Sequence, residues 1–123
     1  MILRLKEGLF FTEEQKIKIA IARAVLCNPC ILLLDGVIGV LDMEVEHAIQ
    51  EALNILMLGR STIIIARHLG PIRNCDLIAV MEEGHLAEMG THEELLSVDG
   101  LYAELFRYEE VAKLPKKSSC EKL

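Results

Sequence analysis

An α/β fold built on a parallel sheet follows from three features of this 123-residue chain. Two short apolar runs, "CILLLD" at residues 30–35 and "STIIIA" at 61–66, read as strands covered on both faces, as parallel sheets bury them. Between them, residues 43–58 carry apolar side chains at helical spacing, so the order strand, helix, strand makes a βαβ crossover. With 52% hydrophobic residues, the chain has enough apolar surface for a core.

The elements follow in chain order. Thr12 to Gln15 form a capping box, in which hydroxyl and amide satisfy backbone donors at a helix start, and Glu13 and Glu14 suit the positive end of the helix. That helix is expected over residues 12–27, mostly buried because Ile17, Ile19, Ile21, Val25 and Leu26 surround much of the cylinder. It stops before Asn28-Pro29, since proline disfavours helical geometry in the residue before it. In the second helix Val45, Ala48, Ile49, Ala52, Leu53 and Leu56 share one face, and Gly59 ends it. Residues 76–82 and 85–88 flank Glu83-Gly84 as a hairpin at one sheet edge. Thr91-His92-Glu93-Glu94 repeats the capping box before a helix to Ser97, and Asp99-Gly100 turns into a last helix from residue 101 to about 112.

Composition excludes several functions. Nineteen acidic against 13 basic residues give a net charge of -6, which opposes binding to nucleic-acid phosphates, and 4% aromatics supply few stacking platforms. Arg23, Asp35, Arg60 and Arg67 interrupt every apolar run short of the ~20 residues that a membrane helix needs. Residues 1–10 lack the pattern of a signal peptide, so a cytosolic setting is expected. Cys27 and Cys30 have the CxxC spacing of redox and zinc sites, yet no second CxxC or His pair accompanies them, and they read as incidental thiols. Cys120 and the lysines of residues 113–117 read as exposed, and His47, His85 and His92 as solvated surface histidines.

Asp35, ending "ILLLD", is the first residue with chemical promise. In α/β sheets ligands gather at the carboxyl ends of strands, where an acid can hold magnesium beside phosphate. Alone it is equally a turn former. The motif order decides: residues 11–15, "IAIARA", "ILLLD", Val40-Leu41-Asp42, "TIIIA" and "MEEGHLAEMGTHEELL" together resemble the carboxyl-terminal half of an ATP-binding cassette, from about residue 9 to 113. "TEEQK", "GRSTIIIAR" and "LYAELFRYEEVAKLP" resemble in particular the first nucleotide-binding domain of plant B-type, multidrug-resistance-like ABC transporters.

The resemblance implies a partial P-loop NTPase-type sheet with flanking helices and a carboxyl-terminal hairpin. Residues 1–113 are the cassette part and residues 114–123 a loose polar tail. No GxxxxGK[ST] occurs in the chain, and the phosphate-cradling part is expected before Met1. ATP and magnesium are the implied cofactors, although binding by this piece alone is not expected. The implied partners are a second nucleotide-binding domain and transmembrane domains. The implied setting is the cytosolic side of a membrane, the plasma membrane in particular, and the implied task is export of auxin or other small amphipathic compounds. The alternatives are a non-enzymatic module that docks on intact cassettes, and a decayed gene product.

By the same resemblance, Phe11, Thr12, Glu13, Glu14 and Gln15 occupy the signature motif that receives the γ-phosphate of a partner's ATP. Asp35 matches the magnesium-associated Walker B aspartate, and Gly36 stands where a glutamate polarises the attacking water. Residues 39–42, with Asp42, cover the D-loop, although Asp42 is also a helix cap before Met43. Arg67 holds the place of the switch histidine, followed by His68, and Arg73 and Asp76 match the stretch after it.

Three departures matter. Glu13 and Glu14 put negative charge where phosphate approaches; at ~4 Å and an effective dielectric of 20, like charges repel by ~4 kcal/mol, unless the carboxylates turn away. Gly36 cannot orient a water, help that is typically worth ~10²-fold to 10⁴-fold. Arg67 can bind a phosphate but cannot relay a proton, and His68 is not expected to replace it, since a one-residue slip reverses the face of a strand side chain. No catalytic residue is therefore expected to be intact.

Overall fold

The computed structural model describes residues 1–4, 11–36 and 43–113. Asp42, the rest of the D-loop and the tail at 114–123 lie outside the described residues. The chain divides into two compact units, Met1–Pro71 and Ile72–Leu123.

In the first unit β1 (Ile2–Arg4), β2 (Ile31–Asp35) and β3 (Ser61–Ile65) form a parallel sheet in the order β1-β2-β3. The β2–β3 pairing is the expected crossover, running from Ile31 opposite Ser61 to Asp35 opposite Ile65. β1 was not expected: three residues are too short to show a period, and only pairing with Leu33, Leu34 and Asp35 defines it.

Two helices cover one face of this sheet. α1 (Glu13–Cys27) begins at the predicted capping box, with Gln15 N donating to Thr12 Oγ1 at 3.2 Å and Thr12 N to Gln15 Oε1 at 3.1 Å. α2 (Met43–Met57) ends in a turn where Gly59 takes φ 71°, a conformation glycine adopts without steric cost. Ile17 and Ala24 from α1, Leu32 and Leu34 from β2, and Ile49, Leu53 and Leu56 from α2 are the buried core.

The expectation of strands covered on both faces is corrected here. β2 alternates buried and less buried residues, and Ile31, Ile63 and Ile65 are each more than half exposed. Leu32 and Leu34 meet the helices, while the opposite face has no covering layer among the described residues. α1 is likewise not mostly buried. Ile17, Ala20, Ile21 and Ala24 face the core at i, i+3, i+4, i+7, and Ile19, Val25 and Leu26 on the remaining face are exposed.

The second unit holds β4 (Ile78–Glu82), β5 (His85–Gly90), α3 (His92–Val98) and α4 (Leu101–Lys113). The hairpin forms as expected, but as a separate two-stranded antiparallel sheet and not at an edge of the parallel one. Glu83 and Gly84 at its tip have φ 48° and 79°, the pair of positive angles that matches a tight turn to strand twist. Ile78 and Val80 are buried, as are Leu95, Tyr102 and Ala103 of the helices. The second capping box is present, with Glu94 N donating to Thr91 Oγ1 at 3.3 Å. A side chain caps α4: the Glu88 carboxylate accepts from the backbone N–H groups of Leu101 and Tyr102, each at 2.9 Å.

His92 is another correction. It is half-buried, its Nδ1 lies 2.8 Å from the Tyr102 hydroxyl, and its ring meets Tyr102 and Phe106 edge-on at 5.7 and 5.3 Å. The short α3 turns it inward, because capping-box spacing fixes the helix start but says nothing of which residue faces a neighbouring helix.

Candidate functional site

Of the residues that the sequence singles out, those described in the first unit fall into two constellations. One is the start of α1. Thr12 and Gln15 satisfy each other's backbone N–H groups, which leaves Glu13 and Glu14 in the first turn with no capping duty. Their carboxylates run down the helix instead: Glu13 Oε1 meets Lys16 Nζ at 2.7 Å, and Glu14 Oε1 meets Lys18 Nζ at 2.5 Å. The lysines sit one turn further on, at the spacing where helix side chains meet. The two negative charges are thus matched by two positive ones and drawn along the helix. Lys16 and Lys18 were not singled out from the sequence, although the Glu-to-Lys spacings of three and four carried the signal.

The other constellation is the carboxyl end of the sheet. β2 ends at Asp35, whose register partners are Arg4 on β1 and Ile65 on β3. Gly36 follows with φ 66°. An added Cβ there would meet no atom within 4 Å, so the backbone angle alone resists a side chain. Asp35 and Gly36 therefore stand at the same strand ends as the segment that leaves β3, as the sequence expects.

Arg67 and His68 follow β3 without belonging to it. The strand ends at Ile65, and the chain bends through both residues, which are exposed. With Leu34, Ile64, Ile65, Ala66 and Pro71 they line one shallow concavity of about 10 Å³, the space of roughly one water. Strand alternation ends at Ile65, so it does not decide which way His68 faces, and both residues line the same hollow.

The hollow is too small for a nucleotide. Among the described residues no group of three or more His, Cys, Asp or Glu side chains converges to hold a metal. Magnesium, however, is commonly bound by one or two carboxylates together with a substrate's own phosphates. Asp35 at a strand end fits that modest role and no larger one.

Arg73 and Asp76, read from the sequence with the switch stretch, lie in the second unit. The Arg73 guanidinium stacks 4.7 Å over the Phe106 ring and pairs with Glu110 at 2.8 Å, which makes it a packing residue there. Asp76 adjoins Cys75, whose thiol is pushed up by burial and by that carboxylate. Among the described residues no helix is long and apolar enough to cross a membrane.

With this geometry in view, comparison with known proteins is informative. No family model matches the chain. ABC transporter B family member 20 of Arabidopsis thaliana is 66% identical over 112 residues, which cover 91% of this chain and 8% of that protein. ATP-binding cassette sub-family B member 10, mitochondrial, of Mus musculus is 50% identical over 101 residues, covering 81% of this chain and 14% of that protein. Among solved structures, a bacterial Atm1-family ABC exporter with ATP bound matches at a TM-score of 0.72 and 39% identity, over 80% of this chain and 17% of the exporter chain. The chain spans about 8% of the length of the plant relatives that it matches. In sequence and in fold it belongs to the ABC transporter B family, as a segment with the character of the nucleotide-binding domain.

Proposed function

We propose that residues 1–113 serve as the carboxyl-terminal part of an ATP-binding cassette in B-type export, and that they contribute a hydrolytically weakened half of a two-cassette ATP site. In this reading ATP is held chiefly by a second nucleotide-binding domain, and the start of α1 faces its terminal phosphate. Thr12, Glu13, Glu14 and Gln15 form that surface. Asp35 contributes a magnesium ligand and Asp42 the D-loop contact. The setting is the cytosolic side of a membrane, the plasma membrane in the plant case, with transmembrane domains as the coupled partners. The cargo class is auxin or other small amphipathic compounds.

The observation that carries the reading is the pairing of both signature glutamates with Lys16 and Lys18. A helix start is a favourable place for an anion, because its N–H groups and dipole point outward. Carboxylates left there would cancel that advantage. Here each is engaged by a lysine one turn on, so the start of α1 keeps part of its capacity for phosphate.

Magnesium, when bound, supplies charge neutralisation between phosphate oxygens. The chain's own residues do less than a full cassette would. Gly36 offers no group to orient a water, and Arg67 provides a fixed positive charge without a transferable proton. Hydrolysis at this half is therefore slow, while phosphate contact persists.

The test is a pair of titrations. The chain alone, with ATP and magnesium, shows no micromolar affinity; micromolar binding would refute the half-site reading. The chain mixed with an intact cassette of a B-family relative associates in the presence of ATP and loses that association when Asp35 is replaced by Asn. Association that is indifferent to ATP would favour a non-enzymatic docking module.

A further inference from the structure

The outer face of the β4–β5 hairpin takes no part in the nucleotide reading. Register pairs Ala79 with Met89 and Met81 with Leu86, and cross-strand partners share a face. Ile78, Val80 and Gly90 lie on the other face, toward α3 and α4, and are buried. The outer face is left to Leu77, Met81, Leu86 and Met89, which are 59, 60, 54 and 59% exposed, with Ala79 exposed between them. A two-stranded sheet needs apolar packing to be stable, and this one has a covering layer on a single face among the described residues.

Charge selects what fits the open face. The second unit, residues 72–123, carries five of the chain's six net negative charges. No lysine or arginine stands between Arg73 and Arg107, a stretch with eight acidic residues. The described cations of the unit are already paired, Arg73 and Lys113 with Glu110, and Arg107 with Asp99. Asp76 is exposed beside Leu77 at one end of the apolar strip, and Glu82 and Glu83 are exposed at the hairpin tip. Carboxylates at both ends repel nucleic acid and anionic lipid, and they complement an apolar strip flanked by lysine or arginine.

Shape narrows the choice further. Five residues of strand extend about 17 Å, the length of about three helical turns. A helix with apolar residues at i, i+3, i+4 and i+7 lays one stripe along such a face, and its basic flanks then meet the carboxylates. The two methionines are unbranched and adapt to the stripe that they receive.

We propose that the outer face of the hairpin is a docking surface for a basic amphipathic helix of a partner protein. Burial of its two leucines and two methionines supplies the affinity, and Asp76, Glu82 and Glu83 set the charge selectivity.

The experiment titrates the full chain into a fluorescein-labelled helical peptide of about 14 leucine and lysine residues, with the leucines on one face, and follows anisotropy. Binding is expected, and it weakens as salt rises. The same peptide with glutamate in place of lysine binds about tenfold more weakly or less. Met81→Ser with Met89→Ser lowers the affinity by about tenfold. Glu82→Gln with Glu83→Gln lowers it by about threefold to tenfold and makes the salt dependence shallower. Leu58→Ser, at an apolar position of the first unit that is 72% exposed, leaves it unchanged, which separates the hairpin face from general adhesion. Circular dichroism checks that the variants keep their fold, as expected for exposed side chains. No binding, equal binding of the glutamate peptide, or binding indifferent to both hairpin doublets overturns the proposal. So does a dimer that Met81→Ser with Met89→Ser abolishes, because a second copy then covers the face. A gain in affinity on removal of residues 114–123 also overturns it, by giving the face to the chain's own tail.

Discussion

Lys16 Nζ lies 2.7 Å from Glu13 Oε1, with the lysine side chain 15% exposed and the carboxylate 43% exposed. The lysine is the more enclosed partner, so the pair stands partly against the helix body. As a stabilising contact the pair is modest, within the ~0.2–1 kcal/mol of partly exposed ion pairs. In the proposed half-site its larger effect is on what the start of α1 can accept.

Removing that compensation gives the first prediction. Lys16→Met together with Lys18→Met weakens ATP-dependent association with an intact cassette by about tenfold, the effect of roughly 1.4 kcal/mol, and leaves helix content nearly unchanged. Glu13→Gln with Glu14→Gln moves it the other way. Equilibrium binding by fluorescence anisotropy at two salt concentrations checks both. If both doublets bind like the unaltered chain, the start of α1 does not meet phosphate.

The backbone at Gly36 governs the second prediction. Placing a glutamate at this position does not confer hydrolysis, because φ 66° is a conformation that L side chains rarely adopt. Gly36→Glu lowers stability by about 1 kcal/mol, through the left-handed penalty of a residue with a Cβ. Gly36→Asn, which tolerates that region better, costs less. Phosphate release measured with an intact cassette, beside thermal melts of both variants, decides the matter; a large rise in rate for Gly36→Glu would show that the turn readily refolds around the new side chain.

Much of this was legible from residues and some was not, for reasons that differ by element. Capping boxes are local, and Thr12 with Gln15 and Thr91 with Glu94 formed as the spacing required. The βαβ crossover was equally visible, since β-branched runs and helical periods are properties of the chain itself. Burial was not. Whether Ile63 faces another layer depends on what lies across the sheet, and an apolar run reads the same covered or bare. Lys16 and Lys18 escaped notice because a lysine on a helix ordinarily signals only solvent. His68 lies past Ile65, where the strand ends, so alternation along β3 does not decide which way it faces.

Gly100 supplies the third prediction. A Cβ at this position would run into Glu88 Oε1, the carboxylate oxygen that accepts from the N–H of Leu101. Gly100→Ala must displace the cap of α4, leaving two helix-start donors without their charged acceptor. The expected cost is about 1–2 kcal/mol, similar to losing a helix cap. Glu88→Gln keeps the shape but not the charge and costs less. Denaturant melts of the two variants give the order; equal stability of Gly100→Ala and the unaltered chain would mean that Glu88 is no cap in solution.

The last prediction concerns alkaline pH. Burial pushes the Tyr102 hydroxyl above its usual range, an effect that the Arg73 guanidinium opposes and that Cys75 and Glu109 reinforce. A group whose pKa is raised in the folded state holds its proton more tightly there than in the unfolded chain. Its contribution is complete below the unfolded phenol value of about 10 and declines as pH rises through the folded value. Cys75, raised by burial and by Asp76, adds a decline of the same sign that begins lower, from the unfolded thiol range of about 8.5. The contribution of these two groups to stability is therefore complete at neutral pH and is lost on the alkaline side in two steps. Tyr102→Phe abolishes the upper step at a cost of about 1 kcal/mol at neutral pH, because the contact between the Tyr102 hydroxyl and His92 Nδ1 is lost. Cys75→Ala abolishes the lower step. Unfolding midpoints followed by near-ultraviolet circular dichroism from neutral pH upward resolve the two, and a profile unchanged by both substitutions would place the alkaline transition elsewhere in the chain.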